Sequence, residues 1–139
     1  MKLSTTTIRQ EVVLPGTPKA VYEALVDPKK HAAVTGAPAT GEAKVGGAFT
    51  AWDGYIFGKY LDLVRGSRIV WEWTTTEWPV GYPPSQVDVT LTRSKGGTKL
   101  AMVHSKVPTS QAEAYRQGWI DSYWDPLKKY LLTKKRVVP

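Results

Sequence analysis

His31, His104 and Arg116 are the side chains of this sequence whose chemistry most invites a catalytic reading. Histidine carries protons near neutral pH but needs an orienting partner to do so productively. Neither histidine has a carboxylate pair at metal-ligand spacing, and the two fall in different elements. The chain has no cysteine, which excludes thiolate catalysis, disulfides and cysteine-based metal sites. It also lacks a nucleophile elbow, a phosphate-binding loop and a dinucleotide fingerprint. The pattern points to binding, with no catalytic residue, metal or cofactor expected. His104 shares a strand face with Met102 and reads as a hydrogen-bonded core residue. The weaker alternative is a cyclase or hydrolase-like reaction through His104 and Arg116, which requires both side chains in one cavity.

The aromatics carry the binding chemistry. There are 6 Trp and 7 Tyr against 2 Phe. Each Tyr or Trp joins a large apolar body to one polar handle, which suits a wet cavity or an interface. The candidate cavity set is Trp71, Trp73, Met102, His104, Arg116, Trp119 and Tyr123. Arg116 falls in the middle of an apolar helical arc, where a guanidinium needs a carboxylate, a carbonyl or a bound anion. It either forms an ion pair or orients a polar ligand head at a cavity mouth. A second set, Trp78, Tyr82 and Trp124, is the candidate partner surface. The first two stand on the proline-stiffened stretch EWPVGYPPS, as a lid or an exposed hot spot. Trp124 sits at the rim of the helical arc. Trp52, beside an Asp-Gly pair, reads as a surface aromatic.

The elements that position these residues follow from periodicity and punctuation. Thr7–Pro15 alternates as a strand. Thr17 and Pro18 then open a short helix, and Asp27-Pro28 stops it and starts a second that ends before Gly36. Six further strands are expected over Ala39–Val45, Ala48–Trp52, Tyr55–Val64, Arg68–Thr75, Gln86–Arg93 and Thr98–Val107. Hairpin centres fall at Gly46-Gly47, Asp53-Gly54, Gly66-Ser67 and Gly96-Gly97, with Asp53-Gly54 fitting a type I′ turn. Ile69, Trp71 and Trp73 share one face, as do Val87, Val89 and Leu91. In Tyr55–Val64 both alternating sets are largely apolar, which leaves its inner face open. After Pro108 a long helix is expected, capped by Ser110 and Glu113. Its apolar arc holds Ala112, Arg116, Trp119, Ile120, Tyr123, Leu127, Tyr130 and Leu131. Pro126 predicts a kink, because it cannot donate to Ser122.

These elements form an α+β helix-grip: a curved antiparallel sheet of about seven strands around one long C-terminal helix. The 139 residues suit a single domain over residues 1–139. The net charge of +7 favours acidic partners, yet no nucleic-acid motif accompanies it. Its densest basic stretch is the tail KKYLLTKKR. The N-terminus MKLSTTTIRQ shows no secretory h-region, and no apolar run is long enough for a membrane span. A cytoplasmic protein without membrane insertion is expected.

Several stretches resemble the C-terminal domain of activators of the 90-kDa heat-shock protein ATPase. They are HAAVTGAPATGEAKVGGAFTAWDGYIFGKYLDLV, EWPVG and RQGWIDSYWDPLKKYL. The shared features run in order from APAT through GG-x-F, Asp53-Gly54, Gly58, DLV and WP-x-G to RQGW. The resemblance implies the START-like helix-grip superfamily, which includes birch-pollen-allergen-like proteins and polyketide cyclases. It implies a co-chaperone or stress-related module with the 90-kDa heat-shock chaperone as partner. The additional N-terminal domain of the two-domain activators is not expected in this chain. The alternative function is a carrier or sensor of an apolar small molecule between sheet and helix.

Overall fold

The two short helices form where the sequence caps them. In the computed structural model, which describes residues 3–137 and side chains as far as Thr133, α1 covers Pro18–Val26 and α2 covers Pro28–Thr35. The Thr17 hydroxyl accepts from the Ala20 N–H at 3.1 Å. Asp27 closes α1 and opens α2, its carboxylate accepting from Lys29 and Lys30 at 2.9 and 3.3 Å. Each helix carries proline in its first turn, where the missing N–H leaves no bond unmade. The side chains of Lys134, Lys135 and Arg136 in the basic tail lie outside the described residues.

The strands are β1 Thr5–Leu14, β2 Thr40–Gly41, β3 Ala48–Ala51, β4 Ile56–Val64, β5 Arg68–Thr75, β6 Ser85–Ser94 and β7 Gly97–Pro108. They form one antiparallel sheet in the order β1-β7-β6-β5-β4-β3-β2. The expected α+β helix-grip is the arrangement the chain adopts. Trp71 faces Val87 across one ladder, and Val87 faces His104 across the next. Ile69, Trp71 and Trp73 on β5 and Leu100, Met102 and His104 on β7 are all buried on the helix side.

The open inner face of β4 has a physical answer. Its register shifts between Tyr60 and Asp62, so Tyr60 pairs with Trp71 while Leu63 pairs with Ile69. A bulge reverses the parity of the strand, and that is why both alternating sets are apolar. A second bulge separates Thr6 from Ile8 against β7, where Lys106 takes a positive φ of 62°.

Two sheet expectations need correction. The strand proposed over Ala39–Val45 shrinks to Thr40–Gly41, because the chain turns back on itself. Lys44 N–H donates to Glu42 and Gly47 N–H donates to Lys44, at 2.8 and 2.9 Å. The Asp53-Gly54 turn is a four-residue loop, since Ala51 and Ile56 are the last paired residues. Trp52, Asp53 and Gly54 all take positive φ, at 52°, 56° and 88°. The Asp53 N–H donates to the Pro38 carbonyl at 2.9 Å and anchors that loop.

The C-terminal helix runs as α3 Thr109–Trp119, a π-helical turn Ile120–Trp124, and α4 Asp125–Val137. Its start differs from the expected Ser110–Glu113 box: Pro108 is the N-cap and no side chain caps the helix. Thr109 is held instead by the residue before β1, its N–H donating to the Ser4 carbonyl at 3.0 Å. Pro126 has no N–H for Ser122, and the helix answers with a π turn in which the Asp125 N–H bonds Ile120. The extra residue shifts every side chain beyond it relative to a regular helix, and Trp124, expected at the rim, is buried. Ile120, expected inside, is exposed.

Candidate functional site

Helix and sheet meet over two spaces that share a wall of aromatic rings. The inner space is a cavity of about 20 Å³ bordered by His31, Phe49, Tyr60, Trp71, Trp73, Trp119 and Tyr123. That is room for about one water molecule. The outer space is an open groove of about 450 Å³ between the Trp52–Tyr55 loop and α3. Trp52, Tyr55, Trp73, Tyr115, Trp119 and Tyr123 line it, with Ile56, Ala114, Gly118 and Ser122 completing it. Ala114, Gly118 and Ser122 recur every four residues, so they share one face of the helix. Their small size leaves the groove open, and a Cβ built on Gly118 would meet nothing within 4 Å. No charged side chain lines the groove.

His104 is wholly buried at the inner end of β7, and its bonds fix its tautomer. The Trp119 indole N–H donates to Nδ1 at 3.1 Å. Nε2 therefore carries the proton and donates to the Ser85 hydroxyl at 2.8 Å. Ser85 passes its own hydrogen to the Trp73 carbonyl at 2.6 Å. Burial pulls the His104 pKa down to about 3. His31 is similarly arranged. Its Nδ1–H donates to the Leu25 carbonyl at 3.0 Å, and its Nε2 accepts from the Tyr123 hydroxyl at 3.0 Å. Burial lowers the His31 pKa against the opposing pull of the Leu25 carbonyl, and raises that of Tyr123. Both imidazoles are neutral, with both nitrogens occupied.

Of the expected cavity residues, the structure brings Trp71, Trp73, Trp119 and Tyr123 together. Met102 and His104 pack beneath them in the core and line neither space. Arg116 does not point inward. Its guanidinium lies 3.4 Å from Glu113 with the side chain 40% exposed, the ion pair that was the alternative reading. His104 and Arg116 thus never share a cavity, which removes the cyclase or hydrolase-like reading that depended on it.

The expected partner surface is also redistributed. Trp124 is buried, stacked on Trp119 at 5.3 Å, and its indole donates to Gln10 at 2.7 Å. Trp78 folds back onto Trp73 and Tyr115, at 6.2 and 6.1 Å between ring centroids, and donates to the Pro83 carbonyl. Tyr82 accepts from the Ser4 N–H at 3.3 Å. Trp52 is not a free surface aromatic: it packs edge-on against Tyr123 at 6.5 Å and walls the groove. Tyr55, Tyr115 and the small-residue face of α3 escaped sequence reasoning. The four-residue recurrence of Ala114, Gly118 and Ser122 was the signal that could have found them.

Sheet, gripped helix and aromatic groove define a helix-grip domain with an open groove at the helix–sheet boundary. The chain belongs to the family described as Activator of Hsp90 ATPase homolog 1-like protein, which matches residues 15–132. The human Activator of 90 kDa heat shock protein ATPase homolog 1 is 32% identical over 129 residues, covering 93% of this chain and 38% of the relative. Among solved structures, an HSP90 activator from Plasmodium falciparum superposes with a TM-score of 0.77 at 24% identity, covering 91% of this chain and 95% of that one. Protein CV1439 from Chromobacterium violaceum does so with a TM-score of 0.68 at 29% identity, covering 91% and 95%. Among the described residues no helix is long and apolar enough to cross a membrane.

Proposed function

We propose that this chain is a non-catalytic binding module whose working element is the outer groove, with an apolar, planar small molecule as its ligand. The observation that carries the reading is a 450 Å³ groove lined by six aromatic rings and no charge. Ligand sites are commonly concave, apolar and largely pre-formed. The neutral, fully bonded states of His31 and His104 support a role without proton transfer. A thermal-shift screen with planar apolar compounds tests the proposal. At a hundredfold excess over Kd, a ligand selective for the folded state adds about 2.7 kcal/mol and raises the melting temperature by several degrees. A screen in which no compound raises it counts against the groove as a ligand site.

Family membership favours a second reading, docking on the 90-kDa heat-shock chaperone as a co-chaperone-like module. The net charge of +7 would speed encounter with an acidic chaperone face and make it salt-sensitive. An NMR titration with the chaperone at low and moderate salt tests this. Shifts that weaken with salt are expected, and none at either salt removes the reading.

A further inference from the structure

The groove differs in electrostatic character from an ordinary apolar slot. Six rings, Trp52, Tyr55, Trp73, Tyr115, Trp119 and Tyr123, border it, and no lysine or arginine does. Aromatic faces carry the negative side of a quadrupole. The Tyr55 hydroxyl donates to the Glu77 carboxylate at 2.6 Å, which loads negative charge onto a groove-lining ring. That carboxylate is held in place from its own backbone, because the Gln111 amide donates to the Glu77 carbonyl at 2.6 Å. Gln111 in turn accepts from the Tyr115 hydroxyl at 2.8 Å. Two wall residues are thus tied into one polar belt around a fixed negative charge. Asp53 adds a second carboxylate to the loop between Trp52 and Tyr55 and is exposed. The chain carries +7 overall, yet the charge bonded to this groove is negative.

Resting on the groove reading above, we propose that, among small molecules that offer apolar surface to the rings, the groove prefers organic cations bearing a quaternary or tertiary ammonium group. Aromatic cages recognise such groups because the cation is attracted to ring faces and is weakly hydrated. A primary ammonium ion is more strongly hydrated, and an anion is repelled by the ring faces. The Glu77 carboxylate supplies long-range attraction and enriches the Tyr55 ring, while the small residues of α3 leave space for methyl groups.

Three soluble probes of one shape separate the outcomes: choline, its neutral isostere 3,3-dimethylbutan-1-ol, and the anion 3,3-dimethylbutanoate. Each is titrated while the Trp52 and Trp73 indole N–H resonances are followed, in parallel with a planar apolar compound. Choline is expected to bind at least about fivefold more tightly than the neutral isostere, and the anion more weakly than either. Glu77 is exposed, so Glu77→Gln should fold normally; it should erase most of the choline advantage and leave the neutral isostere unchanged. Equal binding of choline and isostere overturns the cation preference, and a choline advantage undiminished in Glu77→Gln overturns the part given to the Glu77 carboxylate. Shifts with the planar compound but none with choline also overturn it, and leave the groove reading standing. No shift with any compound overturns both.

Discussion

The inner cavity and the outer groove share three rings but differ about twentyfold in space, at about 20 and about 450 Å³. Trp73, Trp119 and Tyr123 border both. The Trp119 N–H donates to His104 and the Tyr123 hydroxyl to His31, so the polar groups of both rings are bonded within the interior. An interior packed to native density resists change, so it fixes the ring positions that the groove presents. The groove is thereby preorganised, and a ligand need not order its wall on binding.

Substitutions should therefore have opposite effects on the two sides. The largest is expected for Trp119→Ala, which removes a core ring and orphans the His104 Nδ1 acceptor. A loss of about 3–5 kcal/mol in urea denaturation is expected. A loss under 1 kcal/mol would mean the inner side is not the rigid one.

Next comes pH. His104 has a folded pKa of about 3 and that of His31 is also lowered, both below the unfolded value near 6.5. Below pH 6.5 the unfolded chain binds protons that the folded chain refuses. Stability should therefore fall as pH falls, by about 1.4 kcal/mol per unit from His104, with His31 contributing in the same direction. For His104 the window runs from about 6.5 down to about 3. His104→Gln should flatten the slope by about one proton, read from urea midpoints across pH 4.5–7.5. An unchanged slope would place the linkage elsewhere.

On the outer side, Gly118→Ala should stabilise by about 0.5–1 kcal/mol, since it adds helix propensity where no atom stands within 4 Å. Destabilisation would show that a side chain at this position meets neighbours across the groove. The smallest effect is expected for Arg116→Ala. Its exposed pair with Glu113 should be worth no more than about 0.5 kcal/mol, with ligand affinity unchanged.

Much of the fold was legible because caps, alternation and turns each act locally. Thr17, Asp27 and the alternating Ile69, Trp71 and Trp73 behave as their residue types dictate. What was not legible depended on insertions of one residue. The β4 bulge at Tyr60 and the π turn before Pro126 each change the period of their element, and a fixed step of two residues or 100° cannot see that. Hence a 100° step leaves Trp124 at the rim of the arc, although it is buried. The aromatic wall was readable from Trp71, Trp73, Trp119 and Tyr123, since large rings on buried faces must meet. Its open side was not, because a groove consists of missing volume, and Ala114, Gly118 and Ser122 advertise no chemistry.

The central claim is that the outer groove binds and the packed interior only supports it. Gly118→Leu tests this most directly, because it fills the groove from a position with no neighbours and leaves the core untouched. Isothermal titration of the best planar apolar ligand should show binding lost in this variant while the urea midpoint stays within about 1 kcal/mol of the parent. Retained affinity in a folded Gly118→Leu protein would place the ligand elsewhere and contradict the account.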